Sequence, residues 1–174
     1  DLRRQRQMCI RDSQDPCVTT IDDRLLLGGV RFPVTCGDDA KAWQMEFYHD
    51  DGAGHLVQVL TGPPKMKDIR FVQLPDERIA VLTRPHPGRG GRGKIGYCVV
   101  DSLADATPEV MEQAPLFDHC PVEQWVGANE AHVLENGKIG VLGHVAEFSE
   151  DGHRHYFSMV FAIDPETGGS TGLD

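Results

Sequence analysis

Apolar positions recur along this chain in three similar runs. Ile21 to Arg31 reads IDDRLLLGGVR, Leu74 to Arg84 reads LPDERIAVLTR, and Leu134 to His144 reads LENGKIGVLGH. Each run sets an apolar residue before a short acidic or Gly/Asn turn, then a basic residue, then alternating apolar positions, which is the pattern of a β-hairpin. Each also follows a short strand (CVTTI, IRFVQL, EAHVL) and precedes another (WQMEFYH, KIGYCVV, HYFSMVFAI). The same alternation predicts a fourth, outer strand in HLVQVLTG and, more weakly patterned, in EVMEQAPLF.

The polar residues that open these units give the repeat length. Asp15 and Asp68 lie 53 positions apart, and Asp68 and Glu130 lie 62 apart. A unit of about 55 to 60 residues built from four strands is the sequence mark of a β-propeller blade. The predicted fold is therefore all-β, with about three blades over residues 14–65, 66–126 and 127–174. A closed ring needs at least four blades, so the chain is expected to be part of a longer protein.

In a propeller the innermost strands line a central channel, so their first residues converge from units far apart in sequence. Here they are Gln14-Asp15-Pro16, Lys67-Asp68-Ile69 and the stretch from Gly127 to His132. Each carries a carboxylate ahead of an apolar strand, making Asp15, Asp68 and Glu130 candidate catalytic groups. Carboxylates at such positions also serve as plain turn residues that bond the local backbone.

Charge narrows the partners. The 27 acidic and 17 basic residues leave a net charge of −10, which argues against nucleic acid held through a broad basic surface. No apolar run approaches the ~18 residues that a membrane helix needs. The five cysteines lack C-x-x-C spacing, reading as reduced thiols in a cytoplasmic protein. The twelve-residue stretch LRRQRQMCIRDS resembles translated sequencing adapter at the end of a bacterial metagenomic contig, so residues 1–13 are read as non-native and the native N-terminus as missing.

Three further motifs bear on chemistry. G88-x-x-x-x-G93-K94 matches a phosphate-binding loop except that Ile95 stands where Ser or Thr would hold magnesium. A strand-like run follows it, so the stretch is read as a hairpin loop with solvated Arg89, Arg92 and Lys94. The His-x-His at 153 and 155 sits in a polar turn and lacks the companions of a zinc site, so no metal is predicted. Trp43 and Trp125 are candidates for stacking on a sugar, Trp125 the better placed; Tyr97 and Tyr156 are read as core.

The units QDPCVTTIDDRLLLGGVRF, KDIRFVQLPDERIAVLTRP and VGANEAHVLENGKIGVLGHV, with HYFSMVFAIDPETG after them, resemble successive blades of five-bladed propeller glycosidases. By these motifs the chain is identified as a member of the domain of unknown function 1861 family, which is similar to the mannoside phosphorylases and β-mannosidases of glycoside hydrolase family 130. The resemblance implies a five-bladed propeller of about twice this length, with a sugar site in its central funnel. It places Asp15 at the catalytic acid of an E-D-P-R motif, Arg84 at a substrate or phosphate ligand, and His144 beside the phosphate. Gln14 and Cys17 depart from that motif, and ANEAH replaces a GPPP-type stretch.

Glycoside cleavage needs an acid for the leaving oxygen and either a second carboxylate or an external nucleophile on the opposite face. The expected arrangement has Asp15 as acid or transition-state stabiliser and Glu130 as its partner, with Asp68 orienting substrate or tuning a neighbour. Lys67, Arg84 and His144 are candidates for holding inorganic phosphate as co-substrate, the one small co-reactant foreseen, and Asn129, His132 and Trp125 for binding substrate. Arg84 serves equally well as a salt-bridge partner of Asp68 or Glu130. The expected function is a glycoside hydrolase or phosphorylase acting on a small oligosaccharide or glycoside; the alternative is a propeller that binds glycan without cleaving it.

Overall fold

Period-two apolar positions punctuated by turn residues make antiparallel sheets. The computed structural model of the chain describes residues 13–36, 39–85 and 91–172. The adapter-like residues 1–12 and Arg89 of the glycine-rich loop lie outside the described residues. The strands are β1 (Ser13–Ile21), β2 (Arg24–Cys36), β3 (Asp39–Asp50), β4 (Leu56–Thr61), β5 (Arg70–Gln73), β6 (Ile79–Thr83), β7 (Gly96–Val100), β8 (Trp125–Val133), β9 (Ile139–Phe148) and β10 (Arg154–Ile163), with a 3-10 turn at Leu103–Asp105 and one short α-helix, α1 (Pro108–Gln113). They form three sheets, β1-β2-β3-β4, β5-β6-β7 and β8-β9-β10, paired in sequence order. The fold is all-β, and the three sheets are three blades of a β-propeller.

The turns explain the repeat. Asp22 and Asp23 both adopt left-handed backbone, φ 51° and 58°, the two-residue hairpin geometry that matches strand twist. In the other two blades the loop has three residues, closed by Leu74 N–H to Arg78 O and Leu134 N–H to Lys138 O. Their left-handed position is filled by Glu77 (φ 73°) and Gly137 (φ 79°). Asp76 and Asn136 accept from the backbone N–H two residues on, so these two turns are held by the same short polar side-chain acceptor.

Between the blades lie two apolar clusters. Leu26, Val30, Met45 and Phe47 of the first blade pack on Ile69, Phe71, Ile79 and Val81 of the second. Val72, Ala80, Leu82 and Tyr97 of the second pack on Val126, Val141, Met159 and Phe161 of the third. β6 is buried at every position because it is the central strand of a sheet covered on both faces. Each fully buried Leu, Ile or Phe contributes about 1.5–3 kcal/mol, so the blade interfaces dominate stability. The face of the third blade turned away from the second leaves Leu142 and Val160 exposed.

The predicted fourth strand holds in the first blade and fails in the second. HLVQVLTG contains β4, but EVMEQAPLF forms α1 and then a single bridge between Leu116 and Gly96. Thr107 caps the helix by accepting from Val110 N–H, and Pro108 opens it, a start signal that overrides the apolar alternation. Cys17, Cys98 and Cys120 are free thiols. Among the described residues no helix is long and apolar enough to cross a membrane.

Candidate functional site

The innermost strands β1, β5 and β8 lie side by side, and their first residues meet at one end. Each opening is irregular. Asp15 has φ 50° and interrupts the β1–β2 register between Gln14 and Cys17. Asp68 has φ 56° just before β5. Asn129 is the extra residue of a bulge in β8 between Ala128 and Glu130. Asp and Asn are the side chains that tolerate left-handed backbone best, and bulges re-aim the residues around them. The recurring acidic position is thus explained partly by backbone shape, and that same shape turns these side chains toward one another.

At the centre Asp68 and Arg84 form a buried ion pair at 2.7 Å. His144 Nε2 lies 4.0 Å from the same carboxylate oxygen, while its Nδ1 is 2.9 Å from Asn129 Oδ1. With the amide oxygen as acceptor, Nδ1–H donates and Nε2 is left open toward Asp68. Gly127 makes the approach possible: it pairs with His144 across the β8–β9 ladder, and a Cβ there would lie 2.7 Å from His144 Cε1 and collide with the Asp68 carboxylate. Arg70 is buried beneath the group, donating to Asn129 O at 2.5 Å and Ile69 O at 2.8 Å, and so fixes the bulge.

Beside this centre opens a cavity of about 430 Å³. Asp15 lines it and lies 4.0 Å from Lys67 Nζ, both side chains partly exposed. Arg84 reaches it from below; its Nε is buried without a hydrogen-bond partner among the described residues. Gly93, at φ 134°, lies against that guanidinium, with room for no more than its hydrogen: a Cβ would sit 2.5 Å from Nε. Aromatic walls come from Trp43, Trp125, Phe148 and Tyr156. The lining carries Lys67, Arg84, Arg92 and Arg154 against Asp15, a concentration of positive charge in a chain of net charge −10.

The structure therefore gathers Asp15, Lys67, Asp68, Arg84, Asn129, His144 and Trp125. It places Glu130 and His132 elsewhere: beyond the Asn129 bulge they face a second cavity along the channel, 3.4 Å apart and exposed. Tyr156, read from sequence as core, is 55% exposed on the cavity wall. The correction lies in β9 and β10, where the period-two set His144, Ala146, Phe148 and Arg154, Tyr156 faces away from the blade interface. Pairing puts Tyr156 and Trp125 opposite the small Ala146. The glycine-rich loop is also more than a solvated turn. Gly93 O accepts from Val126 N–H, Lys94 pairs with Asp118, and Arg92 lies over Phe148. Arg70, Phe148 and Arg154 went unnoticed in the sequence, where Arg92 reads only as a solvated loop residue; the β9–β10 alternation was the available signal for Phe148 and Arg154.

Burial pushes the His144 imidazole below the ordinary histidine value; Asp68 opposes this, and Arg84 and Lys67 reinforce it. Burial does the same to His119. Below about pH 6.5 the unfolded chain takes up protons that these folded-state imidazoles refuse, so the stability they contribute is full above that value and declines as pH falls. The melting temperature is expected to drop between about pH 7.5 and pH 5, and His144→Gln to remove part of that drop. A pH profile identical in the variant and the parent protein would contradict this.

Fold and site together define a propeller whose polar machinery gathers where its innermost strands begin. The chain belongs to the family described as "Protein of unknown function (DUF1861)", whose model matches residues 3–173. Among curated proteins there is no significant match. Among solved structures, the chain resembles a mannose phosphorylase from Leishmania mexicana in complex with a phosphate ion, with 30% identity and a TM-score of 0.81, over 93% of this chain and 51% of that one. A hypothetical protein from Leishmania major matches with 29% identity and a TM-score of 0.77, over 93% and 49%. A GDP-Man-dependent mannosyltransferase from Leishmania mexicana matches with 28% identity and a TM-score of 0.75, over 93% and 51%. The chain spans about half the length of these structures.

Proposed function

We propose that this site belongs to a glycoside phosphorylase, a carbohydrate-active propeller that cleaves a small mannoside with inorganic phosphate and needs no other cofactor. The observation that carries the reading is a cavity with one open carboxylate, Asp15, set against Lys67 and Arg84. Glycosidases that rely on protein groups alone need two carboxylates flanking the bond. Here Asp68 is engaged by Arg84, and Glu130 faces the other cavity. An external anion held by the cations takes the second role, and charge-assisted bonds from lysine and arginine are suited to phosphate. Likeness to a phosphate-bound mannose phosphorylase supports the same reading.

In the proposed reaction Asp15, in its acid form, gives its proton to the glycosidic oxygen as the bond to the anomeric carbon breaks. A phosphate oxygen makes the new bond to that carbon. The proton carried by hydrogenphosphate restores Asp15, leaving a sugar 1-phosphate and a free hydroxyl. Asp68 and His144 act as positioning residues: the first holds the Arg84 guanidinium, and the second is fixed by Asn129. We place the activity in the cytoplasm, where the free thiols stay reduced.

One feature favours a second reading, a glycan-binding propeller without catalysis: the aromatic wall of Trp125, Phe148 and Tyr156, on which sugar rings stack. The deciding experiment incubates the purified protein with manno-oligosaccharides, with and without phosphate, and analyses the products. Mannose 1-phosphate formed only with phosphate is expected, with Lys67→Met raising the KM for phosphate about tenfold or more, as loss of a bond to a charged group implies. Free mannose released regardless of phosphate would make it a hydrolase. Binding with no turnover on any substrate would leave the second reading.

A further inference from the structure

The cavity has two cationic poles, and the phosphorolysis reading uses one. The inner pole is Lys67 with Arg84. The outer pole is Arg92 and Arg154, whose guanidinium carbons lie 5.2 and 5.4 Å from the centre of the Phe148 ring; Arg154 also lies 5.8 Å from the Trp125 ring. Between the poles stands Tyr156, 5.6 Å from His144 ring to ring on one side and with its hydroxyl 3.3 Å from Arg154 Nη1 on the other.

The partners of the other arginines set these two apart. Arg31, Arg78 and Arg84 each pair with a carboxylate, and Arg24 and Arg70 bond backbone carbonyls. Among the described residues Arg92 and Arg154 have no carboxylate, although the chain holds 27 acidic residues. A guanidinium lying on an aromatic face is held by its plane, while its N–H donors point outward along its edge. Both groups line the cavity, and guanidinium edges suit a planar or tetrahedral oxyanion. Their ring contacts fix them in advance, so little side-chain freedom is lost when a ligand arrives.

We propose that Arg92 and Arg154 form a second anion subsite at the cavity mouth, which receives a phosphate or carboxylate carried by the sugar on the leaving side of the scissile bond. This rests on the phosphorolysis reading for the direction of the substrate, with the attacking phosphate at the inner pole, the sugar along the Tyr156 and Trp125 wall, and the anionic substituent at the outer pole. The substrate class is then an acidic or phosphorylated saccharide rather than a neutral one.

Calorimetric titration of the purified protein tests this without requiring turnover. The probes are mannose, mannose 6-phosphate, glucuronate and inorganic phosphate. The anionic sugars are expected to bind about tenfold or more tightly than mannose, and that ratio to collapse toward one in Arg92→Gln/Arg154→Gln. Preference for mannose 6-phosphate alone would assign a phosphate as the natural group; preference for both, a general oxyanion. Equal binding of charged and neutral sugars overturns the proposal, as does a preference that survives the double substitution or is lost instead in Lys67→Met. Both arginines are exposed, and an unchanged melting temperature confirms that the double variant is folded. The phosphorolysis reading fails separately, by absence of phosphate-dependent turnover, whatever these titrations show.

Discussion

Asp15→Asn is expected to lower turnover of manno-oligosaccharides by about 10²–10⁴-fold, the share that a positioned general acid supplies. The substitution is nearly isosteric, and Asn adopts left-handed backbone as readily as Asp, so the φ of 50° at this position poses no obstacle to folding. What disappears is the proton for the leaving oxygen. The loss should therefore depend on the leaving group: an aryl mannoside whose phenolate departs unaided should keep most of its turnover, while an oligosaccharide loses nearly all. Phosphate binding at Lys67 and Arg84 should persist, measured by titration. An equal loss on both substrates would assign Asp15 to stabilising charge in the transition state instead, and full activity on oligosaccharides would remove it from the chemistry.

Much of this was legible in the sequence because the fold is repetitive. Three hairpins, each turned by polar residues between apolar strands, repeat the same instruction, and strand openings follow from strand order. Asp15, Asp68, Lys67 and Asn129 could be named as neighbours because each stands at an opening. The bulge at Asn129 was hidden: one inserted residue reverses every side chain after it, which is why Glu130, close in sequence to the site, faces the second cavity. The wall of the cavity was hidden for another reason. Trp125 could be named from its place beside the ANEAH stretch, but Phe148, Arg154 and Tyr156 are brought to it by register across three strands, and apolar or aromatic residues in a strand do not announce which face is buried. A helix in place of a strand after β7 came from a Thr-Pro cap that outweighed a short apolar pattern.

The second large effect concerns stability. Asp68→Ala should destabilise the protein by about 3–5 kcal/mol, because removing one partner of a buried ion pair leaves the other charge without compensation. Arg84 is 4% exposed and has little room to move: Gly93 lies against its guanidinium and Gly127 against its partner carboxylate. Alanine at φ 56° adds backbone strain, so Asp68→Asn isolates the charge from the conformation. The decisive comparison is a double-mutant cycle by denaturant unfolding. Arg84→Met alone strands the carboxylate as Asp68→Asn alone strands the guanidinium, but the two together leave a neutral amide beside an apolar chain. The double variant should therefore be more stable than the sum of the single losses predicts, by about 0.5–3 kcal/mol. Additive losses would mean that solvent reaches the pair and that Asp68 does not hold Arg84. Near-zero single losses would go further, removing the fixed guanidinium on which the phosphate site depends.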